Sequence, residues 1–121
     1  MIKVKSKYAR VFDSSCTNWE KDKNFNLLYL KAQERHFNEI LRFRGYVFLR
    51  DVYEYLGFPI TKTSLLVGWF YDAPKSSGDN YIDFGIKENG KESNIELDFN
   101  VDGDITNHFE DWASNGSFFL S

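Results

Sequence analysis

The sequence predicts an α+β fold, with two N-terminal helices packed on a three- to four-stranded antiparallel sheet and a short C-terminal helix. Apolar residues recur at helical spacing between residues 24 and 56, and from residue 65 onwards their period changes to the value of two that strands show. An Asn-Gly pair, Asn89-Gly90, separates two alternating segments, which is a strong β-hairpin signal. Each element can be assigned from these patterns.

The composition is typical of one globular domain spanning residues 1–121. Hydrophobic residues make up 42% of the chain and charged residues 27%, whereas the aromatic content of 18% is high. A single cysteine excludes an internal disulfide and a zinc site made of several thiolates. No apolar run could span a bilayer and no apolar signal segment follows the basic N-terminus, so we expect a cytoplasmic protein that does not contact membranes.

The first helix is expected to begin at residue 24 or 25, after the N-cap candidates Asp22 and Asn24, and to end before Gly45. A second helix is expected over residues 48–56, before Gly57. The spacing of apolar residues predicts which side of the first helix is buried. The predicted inner stripe consists of Leu28, Leu30, Ala32, His36, Phe37, Ile40, Leu41 and Phe43.

Strands are expected over residues 65–71, 81–87 and 93–101, forming a three-stranded meander. Residues 2–12 alternate at their start and place Lys3, Lys5 and Lys7 on one face, as in a protected edge strand. A short helix is expected to begin near residues 107–110, with Phe118, Phe119 and Leu120 folding back onto the core.

A two-residue turn at Asn89-Gly90 would fix the register of the predicted hairpin. On one face of the sheet this register pairs apolar side chains, which supports it. The pairs are Phe84 with Ile95 and Ile82 with Leu97.

The other face of the predicted hairpin places Asp83 opposite Glu96, with Asp98 on the diagonal. Like charges directly opposite one another destabilise a sheet, so a compensating interaction is expected. The simplest compensation is solvent, or ion pairing with helix arginines. The candidate arginines are Arg42, Arg44 and Arg50.

A second interpretation of the same carboxylates is a catalytic metal site. Asp83, Glu96 and Asp98 resemble the arrangement in restriction-endonuclease-like nucleases, where carboxylates on adjacent strands hold Mg²⁺ beside the scissile phosphate. Asp98 stands where those enzymes have a lysine, and no basic groove is evident around the acidic half of the chain.

A third interpretation is an acidic surface that binds a basic protein. Residues 1–66 contain 12 Lys/Arg and 7 Asp/Glu, a net charge of +5, whereas residues 67–121 contain 3 Lys and 11 Asp/Glu, a net charge of −8. This asymmetry fits either packing of one half against the other or two partners of opposite charge. The predicted partner-binding residues are Asp83, Glu96, Asp98, Asp102 and Asp104.

The spacing of Asp98, Asn100, Asp102 and Gly103 is similar to the first part of an EF-hand or dockerin calcium loop. The twelfth position, which should be Glu or Asp, is Phe109, and the preceding segment alternates like a strand. A strand that ends in an Asp102-Gly103 turn is therefore the preferred interpretation.

Five segments lie along residues 24–105 approximately: 44–57 (RGYVFLRDVYEYLG), 59–62 (PITK), 67–69 (VGW), 78–85 (GDNYIDFG) and 97–103 (LDFNVDG). Together they resemble small proteins of tailed phages and integrated elements of Gram-positive bacteria. The resemblance implies a mobile-element origin and a bacterial host cytoplasm. No activity is established for that family, so no catalytic residue follows from it.

From this context we expect a non-enzymatic protein that binds and blocks a bacterial host protein, such as a CRISPR effector or another nucleic-acid-handling defence factor. Small acidic proteins of mobile elements often act by binding, so this expectation rests on the resemblance and not on a sequence motif. The alternatives are a Mg²⁺-dependent nuclease and a phage structural or assembly component. No Gly-rich phosphate loop is present, and neither a cofactor nor direct nucleic-acid binding is expected.

Overall fold

The computed structural model describes residues 7–71, 80–88, 94–106 and 109. Two helices and six short strands follow one another along this part of the chain, with a 3₁₀ turn at Thr63–Leu65. In order, the elements are β1 (Arg10–Phe12), α1 (Lys23–Arg44), β2 (Tyr46–Phe48), α2 (Leu49–Leu56), β3 (Val67–Phe70), β4 (Lys87–Glu88), β5 (Ile95–Leu97) and β6 (Gly103–Asp104).

The α+β class is confirmed, but the prediction of a single meander is wrong. The strands form two three-stranded antiparallel sheets, with the orders β1-β5-β4 and β2-β3-β6. The strand predicted over residues 65–71 therefore joins the second sheet, and the predicted hairpin belongs to the first. The strand β2, which lies between the two helices, pairs with β3, whereas the meander prediction paired that strand with the hairpin.

The N-terminal strand lies at the edge of the first sheet, as predicted. It is short, and Val11 lies opposite Glu96 of β5. Lys7 precedes the strand in a turn, while Lys3 and Lys5 lie outside the residues that the structure describes.

Strands β4 and β5 pair in the predicted orientation but not in the predicted register. Glu88, rather than Phe84, lies opposite Ile95, and Lys87, rather than Asp83, lies opposite Glu96. The observed register replaces two facing carboxylates by an ammonium and a carboxylate, which favours pairing. The connection between the paired residues therefore comprises residues 89–94, and Asn89-Gly90 lies outside the described residues.

Helix α1 begins after Asp22, whose Oδ1 accepts from the backbone N–H groups of Asn24 (2.9 Å) and Phe25 (3.3 Å). It ends at Gly45, whose φ of 95° is in the left-handed region. In the part of the chain that the structure describes, no helix is long and apolar enough to cross a membrane.

The predicted inner stripe of α1 is partly wrong. Leu28 is 70% exposed, Phe43 is 95% exposed, and His36 is also exposed. The buried residues of the helix are Asn26, Leu30, Phe37 and Leu41. The helix therefore turns a side that contains polar residues towards the core, and those residues bind backbone groups of neighbouring segments.

The core lies between the helices and the two sheets. Trp69 of β3 and Tyr53 of α2 are fully buried in it, and the Tyr53 hydroxyl donates to the carbonyl of Tyr8 (2.7 Å). The side chains predicted to lie under the helices are buried, and Tyr53 of α2 contacts one of them, Phe99, with ring centroids 5.9 Å apart. The predicted side chains are Ile82, Phe84, Ile95, Leu97 and Phe99.

The predicted C-terminal helix and the predicted contacts of Phe118, Phe119 and Leu120 lie outside the described residues. Phe109 is described, and its ring packs against Tyr46 and Phe48 of β2.

Candidate functional site

Residues 81–85 are not part of a strand, and this segment carries the first of the predicted acidic residues, Asp83. Buried backbone groups require hydrogen-bond partners, which a strand receives from its neighbours. Here one side of the segment is bonded by side chains of α1, and the other side by residues that follow β5.

Two side chains of α1 bond the first side of residues 81–85. Asn38 accepts from the Ile82 N–H through Oδ1 (2.7 Å) and donates to the Ile82 carbonyl through Nδ2 (2.9 Å). Glu34 accepts from the Phe84 N–H through Oε2 (2.7 Å). One turn of helix thus replaces a neighbouring strand, because Glu34 and Asn38 are four residues apart on one side of α1.

Asn100 bonds the second side. Its Oδ1 accepts from the Asp83 N–H (2.7 Å), and its Nδ2 donates to the Tyr81 carbonyl (3.1 Å). The same Oδ1 also accepts from the indole Nε1 of Trp69 in the second sheet (2.9 Å). The backbone N–H of Asn100 donates to the Asp83 carbonyl (3.1 Å), and that of Asp98 donates to the Phe84 carbonyl (2.9 Å).

Burial raises the pKa of the Glu34 carboxyl above its ordinary value. Loss of solvent around the carboxyl is the main cause, and the negative charge of Asp83 acts in the same direction. The hydrogen bond from Phe84 opposes these two effects without cancelling them. Glu34 was not singled out from the sequence, where it is one of several charged residues on a long helix.

We expect Glu34→Gln to flatten the pH dependence of stability. Since the pKa is raised in the folded state, that state holds the proton longer than the unfolded chain does. Stability is therefore lost as pH rises from the ordinary value near 4.5 through the folded pKa. Glutamine keeps an oxygen for the Phe84 N–H but has no charge. Urea unfolding at a series of pH values from about 4 to about 7.5 measures the effect.

The control for this experiment is Glu39→Gln, which neutralises an exposed glutamate of the same helix. Its stability profile should run parallel to that of the wild type. The assignment to Glu34 is wrong if the Glu34→Gln profile also stays parallel to the wild-type profile.

Asp83 is exposed and bonds within its own turn. Its Oδ1 accepts from the Gly85 N–H (2.8 Å). Gly85 has a φ of 59°, and a β-carbon there would lie 2.3 Å from the carbonyl oxygen of Asp98. The left-handed φ of Gly85 interrupts extended backbone, and the strand predicted over residues 81–87 is limited to Lys87–Glu88 among the described residues.

Two of the predicted acidic residues border an open cavity of about 530 Å³ on the outer face of the first sheet. Glu96 lies at the centre of this face, directly across from Lys87 on one side and Val11 on the other. Asp98 is exposed, and Val11 is 39% exposed. The lining residues are Ala9, Arg10, Val11, Gly85, Ile86, Lys87, Glu96, Leu97 and Asp98. We call this surface the acidic rim cavity.

Asp102 and Asp104 lie on the second sheet rather than beside the acidic rim cavity. The Oδ2 of Asp102 accepts from the Phe70 N–H at the end of β3 (3.1 Å). The Oδ1 of Asp104 accepts from the N–H and the hydroxyl of Thr106, and these bonds lower the pKa of Asp104. The five predicted partner-binding residues are thus distributed over two sheets.

The residues of the calcium-loop pattern bind groups of the protein itself. The side-chain oxygen of Asn100 accepts from Trp69 and Asp83, and that of Asp102 accepts from Phe70. These oxygens are used by the protein's own N–H groups, and β6 begins at Gly103. The predicted strand over residues 93–101 is limited to Ile95–Leu97 among the described residues, and Gly103 begins a strand, so the predicted strand ending in an Asp102-Gly103 turn is also wrong.

The hairpin register on which the nuclease interpretation depends is wrong, because Glu96 faces Lys87 and not Asp83. Within residues 7–71, 80–88, 94–106 and 109, no three His, Cys, Asp or Glu side chains form a group that could hold a metal ion. The helix arginines also have other contacts, since Arg44 and Arg50 lie 3.4 and 3.8 Å from the carboxylate of Asp51.

Three polar residues bond the backbone of residues 81–85: Glu34, Asn38 and Asn100. Glu34 and Asn38 were not identified from the sequence, where Asn100 was considered only as a calcium ligand. Asn38 and Glu34 flank the buried Phe37 on α1. A polar residue next to a predicted core position is therefore the sequence feature that could have identified them. Asn100 was assigned to a calcium loop. Its actual role depends on two segments distant in sequence, which spacing alone does not reveal.

Comparison with known proteins gives the family of this chain. No curated protein and no solved structure matches it significantly. A family profile matches residues 1–109, so the match includes the N-terminal residues that the sequence resemblance did not cover. The chain therefore belongs to DUF6353, a family of unknown function.

Proposed function

We propose that this chain is a non-enzymatic binding protein of a phage or integrated element, and that it blocks a host protein in the bacterial cytoplasm. The observation that carries the proposal is the acidic rim cavity, where an exposed carboxylate borders a concave surface with a partly exposed apolar side chain. Protein interfaces combine such an apolar centre with charged groups at the edge.

The exposed carboxylate of Asp98 is the feature that favours a basic partner, in a lining whose other charges are Arg10, Lys87 and Glu96. A lysine or arginine of the partner would approach Asp98, while apolar atoms cover Val11. Glu96 lies deeper and faces Lys87, so its charge is partly balanced before a partner arrives. Complementary charge at a rim accelerates association and makes binding sensitive to salt.

The proposed partner class is a host protein that handles nucleic acid, such as a CRISPR effector. Such proteins present arginine and lysine side chains that normally bind phosphates. An acidic surface that occupies these side chains blocks the nucleic acid from binding. Asp83 is exposed and extends the negative charge near the cavity, whereas Asp102 and Asp104 would contribute through the field of the second sheet.

The test is a pull-down from a Gram-positive host lysate at low and high salt, with Asp98→Lys compared with wild type. Asp98 is exposed, so the variant should fold with an unchanged melting temperature. We expect the amount of a salt-sensitive nucleic-acid-handling protein that is retained to fall by about tenfold. Purified partner and bait then give the affinity directly.

The matched control is Glu54→Lys, which reverses an exposed charge on α2 away from the acidic rim cavity. It should retain the same protein as wild type does. Equal retention by Asp98→Lys and wild type would refute the assignment of the cavity, and recovery of the bait alone would refute the proposed partner class.

A further inference from the structure

A second concave surface lies at β2 and the start of α2, with a cavity of about 380 Å³. Its walls combine arginine side chains with aromatic rings. The lining residues are Arg44, Tyr46, Phe48, Arg50, Asp51, Thr106 and Phe109. We call it the arginine–aromatic cleft.

Arg44 is held in place by three interactions. Its guanidinium carbon lies 4.3 Å from the centre of the Tyr46 ring. Its Nε donates to the Tyr46 carbonyl (3.1 Å), and its Nη2 donates to Oδ2 of Asp51 (3.4 Å). The side chain is nevertheless 41% exposed, so part of a fixed, planar donor faces the cleft.

Arg50 has a similar setting on the other side of Asp51. Its guanidinium carbon lies 5.1 Å from the centre of the Phe48 ring, and its Nε lies 3.8 Å from Oδ1 of Asp51. Two guanidinium groups thus share one carboxylate, which leaves a formal charge of +1 among these three side chains. Stacking on aromatic rings restricts both arginines before any ligand arrives, which lowers the entropy cost of binding.

The aromatic part of the cleft is continuous. The Phe109 ring stacks on Phe48 with centroids 5.6 Å apart and meets Tyr46 edge-on at 4.8 Å. All three residues are only partly buried. Partly exposed rings beside fixed arginines are the combination that proteins use for bases linked to phosphates.

We propose that the arginine–aromatic cleft binds a nucleoside phosphate. Arg44 and Arg50 would donate to phosphate oxygens, for which the planar guanidinium fork is well matched. The base would pack on the exposed parts of the aromatic rings. A cavity of this volume lies within the range of small-molecule sites.

This site is independent of the proposed host-protein interface. It lies on the second sheet and is positive, whereas the acidic rim cavity lies on the first sheet and carries carboxylates. The lining of the acidic rim cavity contains Arg10 and Lys87 beside Glu96 and Asp98, a formal charge of zero, whereas the cleft lining carries +1. A negative result for one of the two proposed sites therefore does not count against the other.

Isothermal titration calorimetry of the full chain with AMP, GMP, CMP and UMP tests the proposal. Inorganic phosphate, which lacks the nucleoside, and adenosine, which lacks the phosphate, are titrated for comparison. We expect at least one nucleotide to bind more tightly than phosphate and adenosine do. A ten-nucleotide oligo(dT) strand distinguishes a free nucleotide from a nucleotide within a nucleic acid. Stronger binding of the strand than of any mononucleotide would identify a nucleic-acid segment as the ligand, and it would still support binding of a base and a phosphate in the cleft.

Variants assign the binding to the cleft. Arg50→Gln removes one phosphate donor and should weaken nucleotide binding by about tenfold. Asp51→Asn removes the negative charge between the arginines but keeps an oxygen for the Phe48 N–H, so it should strengthen binding. A gain in affinity cannot result from misfolding. Arg42→Gln, at an exposed arginine outside the lining, is the control and should bind as wild type does.

Three results would overturn the proposal. One is the absence of binding by all four nucleotides and the strand at millimolar concentration. Another is equal affinity for inorganic phosphate and every nucleotide, which would exclude a base contact. The third is unchanged affinity in both Arg50→Gln and Asp51→Asn.

Discussion

Gly68→Ala should prevent stable folding. A β-carbon at this position would lie 2.1 Å from the carbonyl oxygen of Val47 and 2.8 Å from Cα of Phe48. Both are backbone atoms of β2, so no side-chain rotation can relieve the overlap. Gly68 belongs to the central strand of the second sheet and also pairs with Gly103 on its other side. Separating β3 from β2 would therefore disturb the whole sheet.

We expect the free energy of unfolding to fall by at least about 4 kcal/mol, which is a large part of the stability of a small domain. The melting temperature should fall by about 15 °C or more, or no cooperative transition should remain. Gly103→Ala is the matched control, because a β-carbon there meets no atom within 4 Å and only its φ of 126° opposes the substitution. A Gly68→Ala protein as stable as Gly103→Ala would contradict the observed contact between β2 and β3.

Asn100→Ala should have the second largest effect. The substitution removes one acceptor that serves Trp69 and Asp83 and one donor that serves the Tyr81 carbonyl. The indole N–H of Trp69 keeps its bond to the Asn100 carbonyl (3.1 Å), which limits the loss. With about 1 kcal/mol for each net hydrogen bond, we expect a loss of about 2–3 kcal/mol.

Thermal unfolding should show a melting temperature that is lower by about 10 °C. The indole N–H resonance of Trp69 should also shift in the NMR spectrum. Asn18→Ala is the control, since Asn18 is exposed and donates to one hydroxyl, that of Tyr29 (2.9 Å). The loss should then be within about 0.5 kcal/mol. Equal effects of the two substitutions would show that Asn100 does not hold the segment together.

The sequence was sufficient where a signal depends on neighbouring residues. Asp22 caps α1 and Gly45 ends it, and both roles follow from the local chemistry of helix ends. The alternation of residues 95–99 correctly predicted which side chains are buried, because a strand keeps its period of two whatever its partners are. The α+β class follows from these local patterns.

The same reasoning failed where the partner of a segment decides the outcome. Leu28 and Phe43 fit a helical stripe, yet α1 buries Asn26 instead, whose amide bonds the N–H of Glu20 (2.9 Å) and its carbonyl (2.7 Å). Hydropathy treats such a residue as exposed, although a paired amide can lie in a core without penalty. The division into two sheets was missed for a related reason, since β2 between the helices is only three residues long.

The candidate site was predictable in composition but not in arrangement. From the sequence, Glu96 and Asp98 were placed on the face of the hairpin opposite the apolar pairs, and both residues line the cavity on the outer face of the first sheet. The position predicted for Asp83 was wrong, because Lys87 rather than Asp83 lies opposite Glu96, and α1 side chains bond the backbone on either side of Asp83. The arginine–aromatic cleft depends on a contact between β2 and Phe109, which are distant in sequence.

The double role of the Asn100 amide has a consequence for how the protein comes apart. This one side chain bonds Trp69 in one sheet and the backbone beside the other, so opening either side at this point breaks a hydrogen bond to Asn100. Local opening of the Trp69 indole and of the Asp83 amide is thereby coupled by about the free energy of one hydrogen bond. Amide and indole hydrogen exchange at these two positions should reflect that coupling.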